Sequence, residues 1–197
     1  MGEKSLHILA RHANSLEDVE TAGKNDPLVV VTLDLEDKPS WKKSSVKNNA
    51  GTNVEWDEVL VLDNYDHSRH HNLYVDVLDK EKTANAVIGY CTIPLHQVID
   101  AGGQLKAKFD LYNKDGKEKG TISLTLTIVN TSESGDNHDN DGPESKGLST
   151  NDQKHQDHIK SLVLKEHGAD AAALLGVAGA LFLAGSAMRS KPKKEKN

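Results

Sequence analysis

Leu73-Tyr-Val-Asp-Val-Leu78 runs straight into Asp79-Lys-Glu81, and Val87-Ile-Gly89 takes up the chain again shortly afterwards. Set beside Leu6-His-Ile-Leu-Ala10 near the start, this stretch decides the fold. Apolar residues recur at every second position, the period of a strand with one face on a core. The first run also leads into carboxylates. Ala13-Asn-Ser-Leu16 precedes Glu17, Asp18 and Glu20, and then Gly23-Lys-Asn-Asp26-Pro27-Leu-Val29 follows. Both strands are expected at the edges of a β-sandwich, each feeding an acidic loop. Two such loops at one end of a sandwich offer the oxygen ligands that a hard cation takes.

Working outward, four stretches resemble one family. Gly23-x-x-Asp26-Pro27-x-Val29 is similar to a G-x-S-D-P-Y-V segment, with Asn25 for Ser and Leu28 for Tyr. Asn53-Val-Glu-Trp56-Asp-Glu58 is similar to N-P-x-W-x-E, with Val54 for Pro. Leu78-Asp79-Lys-Glu81 with Ile88-Gly89 is similar to a W-D-x-D … F-I-G block, and Gly120-Thr-Ile-Ser-Leu-Thr-Leu126 to a closing strand. Together they resemble the C2 domain over roughly residues 4–130, and the strand order suggests its type II arrangement. The resemblance implies an all-β, antiparallel, eight-stranded β-sandwich that docks on anionic phospholipid membranes.

It also implies candidate site residues. Members that bind calcium use five aspartates on two loops. Their positions fall here on Glu20, Asp26, Asp79, Glu81 and, for the fifth, near Asn85 and Ala86. Only Asp26 and Asp79 match. Glu20 and Glu81 keep the charge but add a methylene, and the fifth carboxylate is missing. Any calcium site is therefore expected to be weak and to depend on Asp26 and Asp79, since affinity falls with lost ligand charge. The alternative is a degenerate loop with solvated acids and Asp26 kept for the turn before Pro27. Many C2 domains hold lipid headgroups through lysines on one strand. Here Trp41-Lys-Lys-Ser-Ser-Val-Lys47 supplies Lys42, Lys43 and Lys47. Read as a strand with Val46 on the core side, it sets Lys43 and Lys47 on the other face, about 13 Å apart. Lysine on an edge strand is equally a guard against aggregation.

Other runs of alternating residues place strands near residues 4–10, 28–35, 41–47, 58–62, 72–78, 87–94, 104–111 and 120–130. Pro94-Leu-His-Gln-Val-Ile-Asp100 has the spacing of a short helix. No nucleophile elbow, phosphate-binding glycine loop or zinc signature occurs, so a binding protein is expected rather than an enzyme. His67, His70 and His71 share a polar turn, and His155 and His158 share a helix face. Without cysteines or a fixed third ligand, both sets read as solvent-facing rather than as zinc sites. Cys91 is alone, which fits a reducing compartment, and no apolar run follows Met1, so no secretory leader is expected.

The rest of the chain changes character. Net charge is −5 over residues 1–130 and −4 over 131–150, but +4 over 171–197. An acidic body with a basic tip is unlike a nucleic-acid binder, which needs a basic stripe on its fold. Residues 131–150 are poor in apolar side chains and are expected to form a disordered acidic linker. Ser149 or Thr150 is then positioned to cap a helix carrying Ile159, Leu162, Val163 and Glu166. Residues 151–188 form the helical segment in this reading, and its last eighteen, Ala171–Met188, carry no charge. Eighteen helical residues extend about 27 Å, close to the ~30 Å hydrocarbon layer. That segment reads as a single-pass C-terminal anchor, followed by the basic tail 189–197 at the headgroups. Ala172, Gly176, Ala180 and Ala184 fall at four-residue steps, which suits a homodimer through this helix. The sandwich is thus expected in the cytosol on a flexible leash. The membrane is the mitochondrial outer membrane, the peroxisome or the endoplasmic reticulum. The rival reading is a calcium-independent scaffold that recruits a protein partner there.

Overall fold

Nine strands and two α-helices account for the regular structure in the computed structural model, which describes residues 4–81, 84–130 and 142–166. The strands are β1 (Lys4–Asn14), β2 (Pro27–Thr32), β3 (Lys42–Lys43), β4 (Val54–Leu62), β5 (Asn72–Asp79), β6 (Ala86–Pro94), β7 (Gln104–Tyr112), β8 (Glu118–Asn130) and β9 (Ser145–Lys146). The helices are α1 (His96–Asp100) and α2 (Gln153–Glu166). Pairing runs β3-β2-β5-β6-β7-β8-β1-β4 and is antiparallel along that path. Between β6 and β7 only Tyr90 and Tyr112 pair, so the path folds there into two layers, β3-β2-β5-β6 and β7-β8-β1-β4. The antiparallel sandwich expected from the alternation is present. The two strands that gave it away are central rather than at an edge: β1 lies between β8 and β4, and β5 between β2 and β6.

Alternation along each strand sends one set of side chains between the layers. Leu6, Ile8, Val29, Val31, Trp56, Leu73, Val75, Val77, Phe109, Leu124 and Leu126 meet there in the main core. At the roughly 1.5–3 kcal/mol that each such side chain gains from burial, this cluster drives the fold. The turns 15–26 and 44–53 gather at one end with residues 80–81 and 84–85, here called the loop end. Main-chain bonds tie them together: Gly51 N–H to Asn25 O, Lys47 N–H to Pro27 O and Lys80 N–H to Asp26 O. Inside the first turn, Asn25 is fully buried and braces the chain by accepting from the Val19 N–H and donating to Glu17 O. At Gly120 φ is +79°, and a Cβ would stand 2.8 Å from Ser15 O, which only glycine avoids.

Three expectations need correction. The strand expected over 41–47 is only the pair Lys42–Lys43, after a 3₁₀ turn at Lys38–Ser40. The long same-face spacing of Lys43 and Lys47 therefore does not exist. Val46 packs not into the main core but into a second apolar cluster outside the first sheet. Nor are residues 142–150, expected in the disordered linker, loose: β9 pairs in parallel with β7, and Thr150 exchanges main-chain hydrogen bonds with Thr92 of β6. This strap lies in the seam where β6 and β7 part. Gly147 passes so close to Phe109 that a Cβ would run into the ring. Residues 131–141 fall outside the described residues.

The third correction concerns α2, which docks on the sandwich. Its cap is Asp152, whose Oδ1 accepts the N–H groups of Lys154 and His155, leaving Ser149 and Thr150 to bond β7 and β6. The helix covers the outer face of the β2-β5-β6 layer. There Leu28, Val30, Leu78, Val87, Tyr90 and Ile159 form the second cluster, with Trp41, Val46, Leu162 and Val163 packed against it. Both faces of that layer are thus buried, which is why all six residues of β2 are inaccessible. Among the described residues no helix is long and apolar enough to cross a membrane. The anchor expected at 171–188, its dimer face and the basic tail lie outside the described residues.

Candidate functional site

Two groups of carboxylates meet on β5, three residues apart. At the loop end, Glu20 from the first turn comes within reach of Asp79 at the end of β5 and Glu81 just beyond it. One carboxylate oxygen of each lies within 4.8 Å of the others. Asp79 is fully buried; its Oδ1 accepts the Asp26 N–H, its Oδ2 has no donor among the described residues, and the Glu20 carboxyl lies close enough to Asp79 to share a proton with it. An orphaned buried oxygen flanked by two more carboxylates is the donor set of a cation site, and these residues fit a hard cation. Desolvation first, then the charges of Asp79 and Glu81, raise the Glu20 carboxyl above its ordinary value. Asp79 is likewise raised, by burial first and by the Glu81 and Asp26 charges, against the lowering effect of the Asp26 N–H. Burial, with like charges held together, explains both directions.

The structure unites three of the four sequence candidates for a metal and leaves one aside. Asp26 turns its Oδ1 to the Asn49 N–H at 2.6 Å and so ties the first turn to the 44–53 turn. This contact braces the turn before Pro27, while the Asp26 charge still acts to raise the Glu20 and Asp79 carboxyls. The lysines separate too. Lys43 is exposed, while half-buried Lys42 reaches Asp63 at 3.8 Å, towards the opposite end. Lys47 is half-buried at the loop end. Lys43 lines a cavity of about 190 Å³ with Val30, Trp41, Leu78, Ala84, Asn85 and Leu162.

The second group was missed in the sequence. Asp76, on the outer face of β5, is buried under α2 and meets His155 and His158. His155 Nε2 stands 2.7 Å from Asp76 Oδ1, and its Nδ1 2.9 Å from Thr92 Oγ1. Facing a carboxylate, Nε2 carries the proton and donates. His158 Nε2 lies 3.6 Å from Asp76 Oδ2, an ion-pair distance rather than a hydrogen bond. Burial alone would raise the Asp76 carboxyl; His155 and His158 outweigh it and hold the group down at about 2. Trp41 stands edge-on to His158, and Tyr74 and Tyr90 edge-on to His155. Burial lifts the Tyr90 phenol to about 12, so it stays protonated and donates to Asn151 at 2.6 Å. The two histidines read as solvent-facing are therefore the interior latch of α2. In the turn 66–71, His70 accepts the Asp66 N–H on Nδ1.

Signals for the latch existed. Leu28-Val-Val-Val31 is an unbroken apolar run, as expected of a strand covered on both faces. Tyr74, Asp76 and Leu78 alternate onto the face opposite the main core, and such a face needs a cover.

The family model described as the C2 domain matches residues 4–111. The chain belongs to the C2 domain family. Among solved structures, a C2 domain-containing protein from a putative elicitor-responsive gene is 26% identical, with a TM-score of 0.53 over 68% of this chain and 95% of its own. A single C2 domain of a plant extended synaptotagmin 1 is 23% identical, with a TM-score of 0.56 over 68% and 99%. A calcium-bound structure of two C2 domains of extended synaptotagmin 2 is 22% identical, with a TM-score of 0.54 over 66% and 47%. Comparison with curated proteins gives no match. The strap and α2 lie beyond the residues that the family model covers.

Proposed function

We propose that this protein is a non-enzymatic, membrane-anchored C2 domain that binds anionic phospholipid at its loop end, with a calcium ion held by Glu20, Asp79 and Glu81. The observation that carries the reading is the buried Oδ2 of Asp79, without a donor among the described residues, beside two further carboxylates. Three carboxylates together repel an anionic surface. A divalent cation offsets two of those charges when bound, and Lys24, Lys43, Lys47 and Lys80 lie at the same end to meet the headgroups. The calcium-bound relative supports calcium as the ion. Residues 171–188 insert as a single C-terminal span, with the sandwich in the cytosol on the mitochondrial outer membrane, peroxisome or endoplasmic reticulum.

Flotation of residues 1–166 with vesicles of phosphatidylcholine and phosphatidylserine, with and without calcium, tests the lipid arm. The fragment ends after α2 because a cut at residue 130 would bare the second apolar cluster. Calcium-dependent flotation that Asp79→Asn abolishes supports the reading. Flotation indifferent to calcium assigns the contact to Lys43 and Lys47, and none in either condition sinks lipid binding. One observation favours the rival scaffold: α2 occupies the sheet face beside Lys43, where a headgroup would otherwise approach. Under that reading a protein partner takes the exposed surface and calcium has no effect.

A further inference from the structure

The direction in which α2 crosses the sheet sets which membrane the domain faces. Near its start, His155 bonds Thr92 and Asp76, and Lys154 pairs with Glu36 at 3.4 Å, towards the end opposite the acidic loops. One turn on, Ile159 packs with Leu78 and Val87. Leu162 then reaches the Ala84 and Asn85 turn. Fourteen residues of helix carry the chain about 21 Å along the face. The helix thus ends at the loop end, beside Ala84 and Asn85. The uncharged stretch begins at Ala171, five residues after Glu166. Five residues fully extended span at most about 17 Å.

We propose that docked α2 holds the loop end against the very bilayer that takes residues 171–188, so that the lipid partner of Glu20, Asp79 and Glu81 lies on the anchor membrane and not on an apposed one. The proposal rests on the anchor reading above. A loose α2 would join Asn130 to Ala171 through some forty residues, whose root-mean-square span of about 35 Å would permit any orientation. Two contacts remove that freedom: the strap 142–150 in the β6–β7 seam, and the buried Asp76–His155 hydrogen bond. The domain therefore reads the composition of its own membrane, and the tail and the loop end act as two attachments on one surface. Each raises the effective concentration of the other. A tether bridging two membranes would need the loop end to point away from the tail.

The test uses the full chain in vesicles of phosphatidylcholine and phosphatidylserine carrying a nitroxide on the headgroup. A thiol-linked fluorophore is placed at the loop end through Ala22→Cys or at the opposite end through His67→Cys, both exposed positions. Cys91 is fully buried and burial pushes its thiol up, so it does not compete for label. The expected result is severalfold stronger quenching at position 22 than at position 67. Ile159→Asp, which expels α2, should bring the two towards equality while the protein stays inserted. Equal quenching in the parent chain, or stronger quenching at position 67, overturns the proposal. A chain that carbonate strips from the vesicles overturns the anchor reading instead, and extraction is scored separately for that reason.

Discussion

Asp76 and Asp79 sit three residues apart on one strand and meet opposite fates. Both are buried carboxylates. Asp76 faces the covered side of the sheet, where α2 brings two imidazoles to it, and its carboxyl is held down at about 2. Asp79 ends the strand among Glu20 and Glu81, and its carboxyl is pushed up. One charge is answered inside the protein, and the other is left for something outside it. A buried charge with partners belongs to the architecture, whereas one that keeps like-charged neighbours and an orphaned oxygen marks a place for a ligand.

The largest effect should come from Asp76→Ala. It strands His155 and His158 without their anion, and breaking a buried pair costs about 3–5 kcal/mol. Denaturant unfolding of residues 1–166 measures it, and hydrogen exchange should show loss of protection over α2. An effect under about 1 kcal/mol would erase the contrast with Asp79, since that is the scale of a surface pair. Ile159→Ala comes next, at about 2–4 kcal/mol for a fully buried aliphatic side chain. It should lower the midpoint of a single unfolding transition. No change would mean that α2 is a leash after all.

Acid sharpens the comparison. Because the folded state depresses the Asp76 carboxyl from 3.8 to about 2, its contribution is present above pH 3.8 and is lost as pH falls through about 2. Its size is on the order of 2 kcal/mol, taking about 1.4 kcal/mol per unit. The stability difference between the parent and Asp76→Asn, followed by circular dichroism, should shrink across that window. The smallest effect is on the other aspartate. Asp79→Asn removes repulsion from Glu20 and Glu81, so without calcium it should raise the melting temperature by roughly 1–3 °C, as a fraction of a kcal/mol does in a domain of this size. That gain should grow as pH rises and the neighbouring acids ionise. Calcium should stabilise the parent and leave the variant unmoved. A variant that still responds would show that Glu20 and Glu81 suffice.

The sandwich was legible because strand alternation and turn residues are local signals, and most element positions follow from them. The acidic loops were legible for the same reason, and three of their four carboxylates do converge. Asp26, expected with them, turns one oxygen to the Asn49 N–H, twenty-three residues away, a contact that an aspartate before proline does not announce. The stretch 41–47 read as a strand because its alternation is real, but Trp41 and Val46 pack against the second cluster, to which α2 contributes Ile159. The strap failed for a related reason. Gly147 and Ser149 are typical of disordered chain, yet they fit here because the β6–β7 seam leaves a groove over Phe109 that larger residues could not enter.

By itself the sequence determined the all-β class, the positions of most strands along the chain, the acidic character of one end and the amphipathic pattern of α2, since each is written in residues close together along the chain. Tertiary structure alone decided that α2 lies on the sandwich instead of hanging from it, that Asp76 meets two imidazoles and Asp79 two like-charged carboxylates, and that α2 ends at the acidic end. Those outcomes depend on pairs such as Asp76 with His155, seventy-nine residues apart, and no periodicity in the chain reports which distant residue will supply a buried charge with its partner.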